Sequence, residues 1–284
     1  MRKLFNEEQQ QYIRDNYMDT PYAVIGEHLA CTAKQIQGWV YHNCTSKLRQ
    51  FDKQYFHNID SPDKAYWLGF IYADGWIIFN ETRRNYELGI QLQRGDAAHL
   101  EKFNQALGGA HKIAYGSETK WIGDYYKESY TEYALLRIYA KQITLDLQAH
   151  GVVQNKTNNM MFPTIEPYFM DFIRGYFDGD GCLYVAPKLS KSQITFTSSN
   201  KAFLEYLQKR LCVEYNINTH IYTEHERKHR LQCSGADMRE LLRMMYYDSH
   251  SVYLDRKYAK YLTYLQRPTS SETTGVKRAK SVKA

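Results

Sequence analysis

Between Ser61 and Arg267 the chain carries the same unit twice, and a duplicated unit must find one fold that serves both copies. AYWLGFIYADGW at 65–76 aligns with FMDFIRGYFDGDGCL at 169–183, placing Gly69 on Gly175, Asp74 on Asp180 and Gly75 on Gly181 at an offset of 106. GIQLQRGDAAHLEKFNQAL at 89–107 aligns with QITFTSSNKAFLEYLQKRL at 193–211 at an offset of 104, with Ile90 on Ile194, Leu92 on Phe196, Leu100 on Leu204 and Leu107 on Leu211. GVVQNKT around Lys156 aligns with SVYLDRKY around Lys257 at an offset of 101, after the strand-like runs YALLRIYA at 133–140 and HRLQCSG at 229–235. Loop-length differences account for the drift.

Each unit reads as an apolar helix ending in Asp-Gly, an alternating strand pair, an amphipathic helix, two more strands and a closing helix. The fold class is therefore α+β, with two pseudo-symmetric αββαββα repeats at 61–165 and 166–267. Alternation lets one face of each sheet pack on helices while the other turns outward with Gln91, Gln93, Thr195 and Thr197. Two such sheets side by side make a long concave saddle that suits a DNA duplex. Arg94 and Ser198, just beyond these residues, join the candidate DNA contacts.

The first fifty residues read as three short helices, roughly Glu7 to Asn16, Pro21 to Leu29 and Ala33 to His42. Thr20-Pro21 offers an N-cap with proline in the first helical position, and Thr32 with Gln35 forms a capping box. Tyr12, Ile13, Val24, Ile25, Leu29, Ile36 and Val40 fall at helical spacing and predict a small all-α core of helix-turn-helix type. Its third helix would present Lys34, Gln35, Gln37, Gly38 and Tyr41 to a major groove. A protein-binding three-helix module is the alternative. Residues 51–60 read as a polar linker, and 268–284 as a disordered basic tail.

The balance of 37 Lys and Arg against 31 Asp and Glu, net +6 with a pI near 8.8, favours a polyanionic partner. The 26 tyrosines suit a half-buried core and, secondarily, a surface that meets sugar and phosphate. No apolar run reaches the length of a membrane span, and no signal-type segment opens the chain, so an intracellular location is expected, cytoplasmic or nucleoid-associated, with an organelle left open. Five dispersed cysteines with no C-x-x-C pair read as reduced thiols; a zinc site on Cys31, His42 and Cys44 lacks a fourth ligand at finger-like spacing.

The chemistry concentrates in the duplicated Asp-Gly helices. Gly69 and Ala73 are four apart, as are Gly175 and Gly179, so each helix carries a small-residue stripe along which the two backbones can approach. A crossing there brings Asp74 and Asp180 together. Two carboxylates at negative helix ends repel each other and the helix dipoles, which a divalent cation relieves. An all-oxygen ligand set of these carboxylates, with backbone carbonyls at Ala73 and Gly179, suits Mg2+, with Mn2+ as a substitute. Metal so held supports in-line phosphodiester hydrolysis, one centre per repeat, and Lys156 and Lys257 could stabilise phosphate charge or position the attacking water.

WLGFIYADG at 67–75 and IRGYFDGDG at 173–181 resemble the paired motifs of LAGLIDADG homing endonucleases, and the resemblance covers about 61–267. It implies a monomer that mimics a dimer, a saddle of two sheets in the major groove of double-stranded DNA, a long target site, short 3′ overhangs and a place in intron homing by a mobile element. The family's metal-binding acids fall on Asp74 and Asp180, and its active-site lysines on Lys156 and Lys257. One departure is Tyr72 where the second motif has Asp178, which suggests unequal handling of the two strands.

Other functions use the same features. A non-catalytic DNA-binding regulator could share scaffold and helix-turn-helix, although both acids remain here. An intron RNA maturase is also compatible with the scaffold. An intein would need a nucleophilic first residue and a terminal His-Asn, whereas this chain runs from Met1 to a Ser-Val-Lys-Ala end.

Overall fold

Side-chain caps set the ends of the first helices. In a computed structural model, which describes residues 5–17, 20–44, 51–109, 111–122, 127–154, 162–225, 228–247 and 252–267, α1 (Glu7–Asn16) begins with a capping box between Asn6 and Gln9. α3 (Ala33–Asn43) begins with the expected box between Thr32 and Gln35. α2 (Tyr22–His28) has no side-chain cap: Pro21, with ψ of 138°, itself stands at the N-cap, so Thr20 lies one residue too early to close the helix. Ile13, Ile25, Ile36 and Val40 form the anticipated core with Phe5, Trp39 and Cys44, and Tyr12 and Leu29 pack at its edge. Val24 does not join it and is 48% exposed, because a seven-residue helix already anchored by Ile25 turns its neighbour roughly 100° away.

The segment read as a linker is part of the main core. Tyr55 and Phe56 are buried against the first repeat, and the Asp52 N–H donates to the Leu107 carbonyl. The polar residues around that aromatic pair mask it in composition.

The first repeat runs α4 (Pro62–Asp74), β1 (Gly75–Asn80), β2 (Asn85–Gln93), α5 (Ala97–Ala106), β3 (Ile113–Ile122), β4 (Lys127–Ile138) and α6 (Lys141–Ala149). The second runs α7 (Phe169–Asp180), β5 (Gly181–Tyr184), β6 (Gln193–Ser198), α8 (Lys201–Tyr215), β7 (His220–His225), β8 (Lys228–Ser234) and α9 (Gly235–Met245), and α10 (Asp255–Leu265) follows it. Both antiparallel sheets have the same order, β1-β2-β4-β3 and β5-β6-β8-β7. The αββαββα repeat is present twice. One continuous core joins the inner faces of both sheets to the helices, with Trp67, Phe70, Phe172 and Phe177 of the two central helices at its middle.

The register corrects the alignment of the strands. Gly75 faces Ile90 as Gly181 faces Phe196, so Ile90 corresponds to Phe196 rather than Ile194, and the strands share the offset of the helix motifs. α5 and α8, in contrast, start at Ala97 and Lys201, in agreement with the sequence alignment. The first repeat therefore holds two extra residues between strand and helix, and they build a 3-10 turn at Arg94–Asp96. A slip of two residues preserves the inward and outward faces of a strand, so periodicity could not reveal it.

Candidate active site and nucleic-acid interface

α4 and α7 cross with their backbones in contact. A Cβ on Gly69 would stand 2.0 Å from the Phe172 carbonyl oxygen, and one on Gly175 would stand 1.9 Å from that of Tyr66. One turn further on, a Cβ on Gly179 would meet the Ala73 methyl at 2.3 Å and Asp74 Oδ2 at 3.2 Å. The small-residue stripe thus serves the crossing, and the Asp74 carboxylate lies beside the last turn of the partner helix. Asp74 and Asp180 are the final residues of their helices, Asp74 half-buried and Asp180 exposed, and each is followed by a glycine that opens the first strand of its sheet.

Lys257, in the first turn of α10, faces the same helix end. Its Nζ donates to the carbonyls of Phe177 at 2.5 Å, Gly181 at 2.7 Å and Gly179 at 3.1 Å. Burial pushes its pKa down to about 8, although the negative charges of Asp178, Asp74 and Asp180 oppose that shift. With Gly181, Cys182, Arg256 and Lys260 it lines a cationic cleft of about 400 Å³ between β5 and α10. The Gly179 carbonyl, expected among the metal ligands, is therefore engaged by an ammonium. Lys156 lies outside the described residues.

The donors at the crossing are two carboxylates. Among the described residues no group of three or more His, Cys, Asp and Glu side chains gathers elsewhere to hold a metal ion. Hard oxygen donors, few in number and open to solvent at Asp180, fit Mg2+, which retains several waters and takes one or two protein carboxylates.

The Tyr72 and Asp178 positions lie behind this site, not beside it. Two residues ahead of the acid is about 200° around the helix, so both side chains point into the core. Asp178 is fully buried and accepts from the Tyr66 hydroxyl at 2.8 Å, the Tyr246 hydroxyl at 2.9 Å and the Leu254 N–H at 2.8 Å. Tyr72 donates to the His150 carbonyl. Because the single proton of Tyr66 goes to Asp178, its 3.0 Å contact with His99 requires Nε2–H of His99 to donate. Burial keeps the His99 ring neutral, so its Nδ1 carries no proton, and that nitrogen is buried and unpartnered among the described residues.

The expected DNA contacts divide. Gln91, Gln93, Thr195 and Thr197 lie on the outward faces, opposite in register parity to Ile90, Leu92, Ile194 and Phe196. Gln93 is exposed and donates to Asp96 at 3.0 Å; Gln91 is half-buried beside Glu118. Thr195, 8% exposed, is enclosed by its ladder neighbours Cys182 and Gln232. Arg94 leaves the sheet in the 3-10 turn, paired with Glu132 at 2.9 Å. Ser198 does not belong to the surface: it shares the inward parity of Phe196, is 7% exposed and accepts the Asn200 N–H. In α3, Lys34 and Gln37 are exposed, whereas Gln35 is turned back onto Thr32.

The outward face of the second sheet also holds Cys182, Tyr184, His220, Tyr222, Arg230 and Gln232, none of them singled out in the sequence. Alternation within HRLQCSG marks Arg230 and Gln232; short β5 and irregular β7 carry too few alternations to mark the others.

Residues 169–246 match the family model described as a LAGLIDADG-like domain. No curated protein matches the chain. Among solved structures the chain is similar to the homing endonuclease I-WcaI bound to its DNA recognition sequence, with a TM-score of 0.51 and 14% identity over 72% of this chain and 90% of that one. It is similar also to I-DmoI in complex with DNA and Ca, with a TM-score of 0.46 and 19% identity over 71% and 97% of the two chains. Full-length DUF199/WhiA from Thermatoga maritima matches with a TM-score of 0.42 and 14% identity over 82% and 74%. Two four-stranded antiparallel sheets around a crossed helix pair are the fold of the LAGLIDADG homing endonucleases. No helix among the described residues is long and apolar enough to cross a membrane.

Proposed function

We propose that this chain is a site-specific, metal-dependent endonuclease that hydrolyses both strands of a DNA duplex and leaves short 3′ overhangs. The observation that carries this reading is the convergence of Asp74 and Asp180 at two crossed helix ends with Lys257 packed against them. Asp74 and Asp180 would hold the divalent cation, Mg2+ or in its place Mn2+. The chemistry it would supply when bound is an activated water and neutralisation of charge during in-line displacement.

Lys257 contributes a fixed positive charge. All three of its N–H groups go to carbonyls, so it stabilises developing phosphate charge through space rather than by giving up a proton. Lys156 is assigned the matching role in the first repeat on sequence equivalence alone. The outward sheet faces read the duplex, Gln91, Gln93, Thr195 and Thr197 together with Arg230 and Gln232, while Lys34 and Gln37 of the N-terminal helices extend the contact. One chain supplies both half-sites, so a monomer suffices.

The test is Asp74→Asn combined with Asp180→Asn, assayed on a duplex selected from randomised targets. Cleavage should vanish while duplex binding persists; surviving cleavage would overturn the assignment. Binding without cleavage by the unmodified chain would instead identify a DNA-binding regulator, and RNA binding that outlasts DNA binding in salt would identify a maturase.

A further inference from the structure

The 3-10 turn inserted after β2 reaches across to the helix that carries Lys257. Asp96, its last residue, is 8% exposed and holds Arg256 Nε at 2.9 and 3.2 Å, while Gln93 donates to the same carboxylate. From α5, Lys102 Nζ donates to Asp255 Oδ1 at 2.6 Å and to the Tyr253 carbonyl at 3.2 Å, and sits 5.2 Å from the centre of the Tyr253 ring. Asp178 takes the Leu254 N–H. Each of the four residues before Lys257 is thereby gripped, three of them by the first repeat.

The second repeat uses the corresponding position differently. Asn200 is the N-cap of α8 and its side chain accepts the Phe203 N–H, as an N-cap residue should. Asp96 is the N-cap of α5 but makes no side-chain cap, although aspartate is among the best capping residues. Its carboxylate is turned away from its own helix to Arg256. The forgone cap goes with the insertion: the 3-10 turn leaves Asp96 at ψ 11°, outside the extended conformation of a capping residue, and its carboxylate serves the contact between repeats instead.

We propose that Asp96 and Lys102 are positioning residues, a cross-repeat clamp that seats the start of α10 and so holds Lys257 against the carbonyls of Phe177, Gly179 and Gly181. The clamp belongs to one cleavage centre only, because Asp96 and Lys102 stand where the second repeat has Asn200, which caps its own helix, and Tyr206. Loosening it slows one DNA strand selectively. The strand effect rests on the endonuclease reading; the seating of Lys257 does not.

Two measurements separate these. Asp96→Asn with Lys102→Met should slow cleavage of the strand that Lys257→Met also slows by about tenfold relative to the other strand, so that nicked plasmid accumulates. The swap Lys102→Asp with Asp255→Lys, on an otherwise unmodified chain, should keep the strands balanced. Equal slowing of both strands, or none, would overturn the proposal. In the DNA-free protein, acetic anhydride labelling read by mass spectrometry should modify Lys257 several-fold faster in the Asp96→Asn, Lys102→Met variant, at a temperature where melting shows both proteins folded. Unchanged protection of Lys257 overturns the clamp whether or not the chain cuts DNA. A chain that never cuts, with labelling raised as expected, leaves the clamp standing and removes only the endonuclease reading.

Discussion

Gly175→Ala tests whether the helix crossing sets the acid pair. The new Cβ would stand 1.9 Å from the Tyr66 carbonyl oxygen, 2.8 Å from its carbon and 2.9 Å from the Phe70 nitrogen. All three are backbone atoms of α4, so no change of rotamer relieves the clash. Reaching even the 3.0 Å limit of Cβ contacts requires the helices to part by at least about 1.1 Å. Alanine gains about 1 kcal/mol over glycine in a helix interior. Overpacking against rigid atoms costs about 3 kcal/mol, the upper part of its usual range, and leaves a net loss of roughly 2 kcal/mol.

At roughly 2–4 °C per kcal/mol for a chain of this size, the melting temperature should fall by about 4–8 °C. The functional loss is larger, since both acids ride on the parting helices and a 1 Å misplacement costs on the order of 100-fold in rate. Calorimetry and plasmid cleavage well below the new melting point would measure the two effects apart. Cleavage at the original rate in a destabilised variant would refute the claim that the crossing places the acids, and an unchanged or raised melting temperature would refute the contact itself.

Gly38→Ala is the contrasting case: a Cβ there meets no heavy atom within 4 Å, so α3 should gain up to about 1 kcal/mol, read as a higher melting temperature or urea midpoint for the N-terminal helices. His99 predicts an acid response. Burial first, then the charges of Lys102, Arg256 and Lys257, lower its pKa to about 3 from 6.5. Between these values the unfolded chain binds a proton that the folded one refuses, so the stabilisation is complete above pH 6.5 and drains away as pH falls toward 3, by at most about 1.4 kcal/mol per pH unit. His99→Gln, which keeps a donor for Tyr66, should flatten that slope in urea titrations run from pH 7 to 4; an unaltered slope would assign the acid sensitivity elsewhere.

The acid pair and its crossing were legible because each rests on a pattern present twice. Gly69 and Gly175 matter through contact with the opposite backbone, and a requirement shared by both helices leaves the same small residues in both. Features built once left weaker traces. Thr20 reads as a cap because threonine before proline usually is one, yet the turn occurs a residue later. Ser198 follows two outward threonines in sequence, but the inward parity of the strand decides its place. The aromatic pair Tyr55-Phe56 sits among charged residues that hide its burial from any average over the segment.

Two of the asymmetries meet at the start of α10. Tyr72 and Asp178 differ where the core behind the motif must hold either the His150 carbonyl or the Leu254 N–H, and the extra turn of the first repeat ends on Arg256. Asp178, Asp96 and Lys102 thus all act on the residues that lead into Lys257, while the two acids and the glycines behind them remain matched. A duplicated unit can diverge at little cost where only one copy makes a contact; at the crossing each change alters both helices at once. Differences between the cleavage of the two strands should therefore follow substitutions around α10, and substitutions along the α4–α7 crossing should impair both strands together.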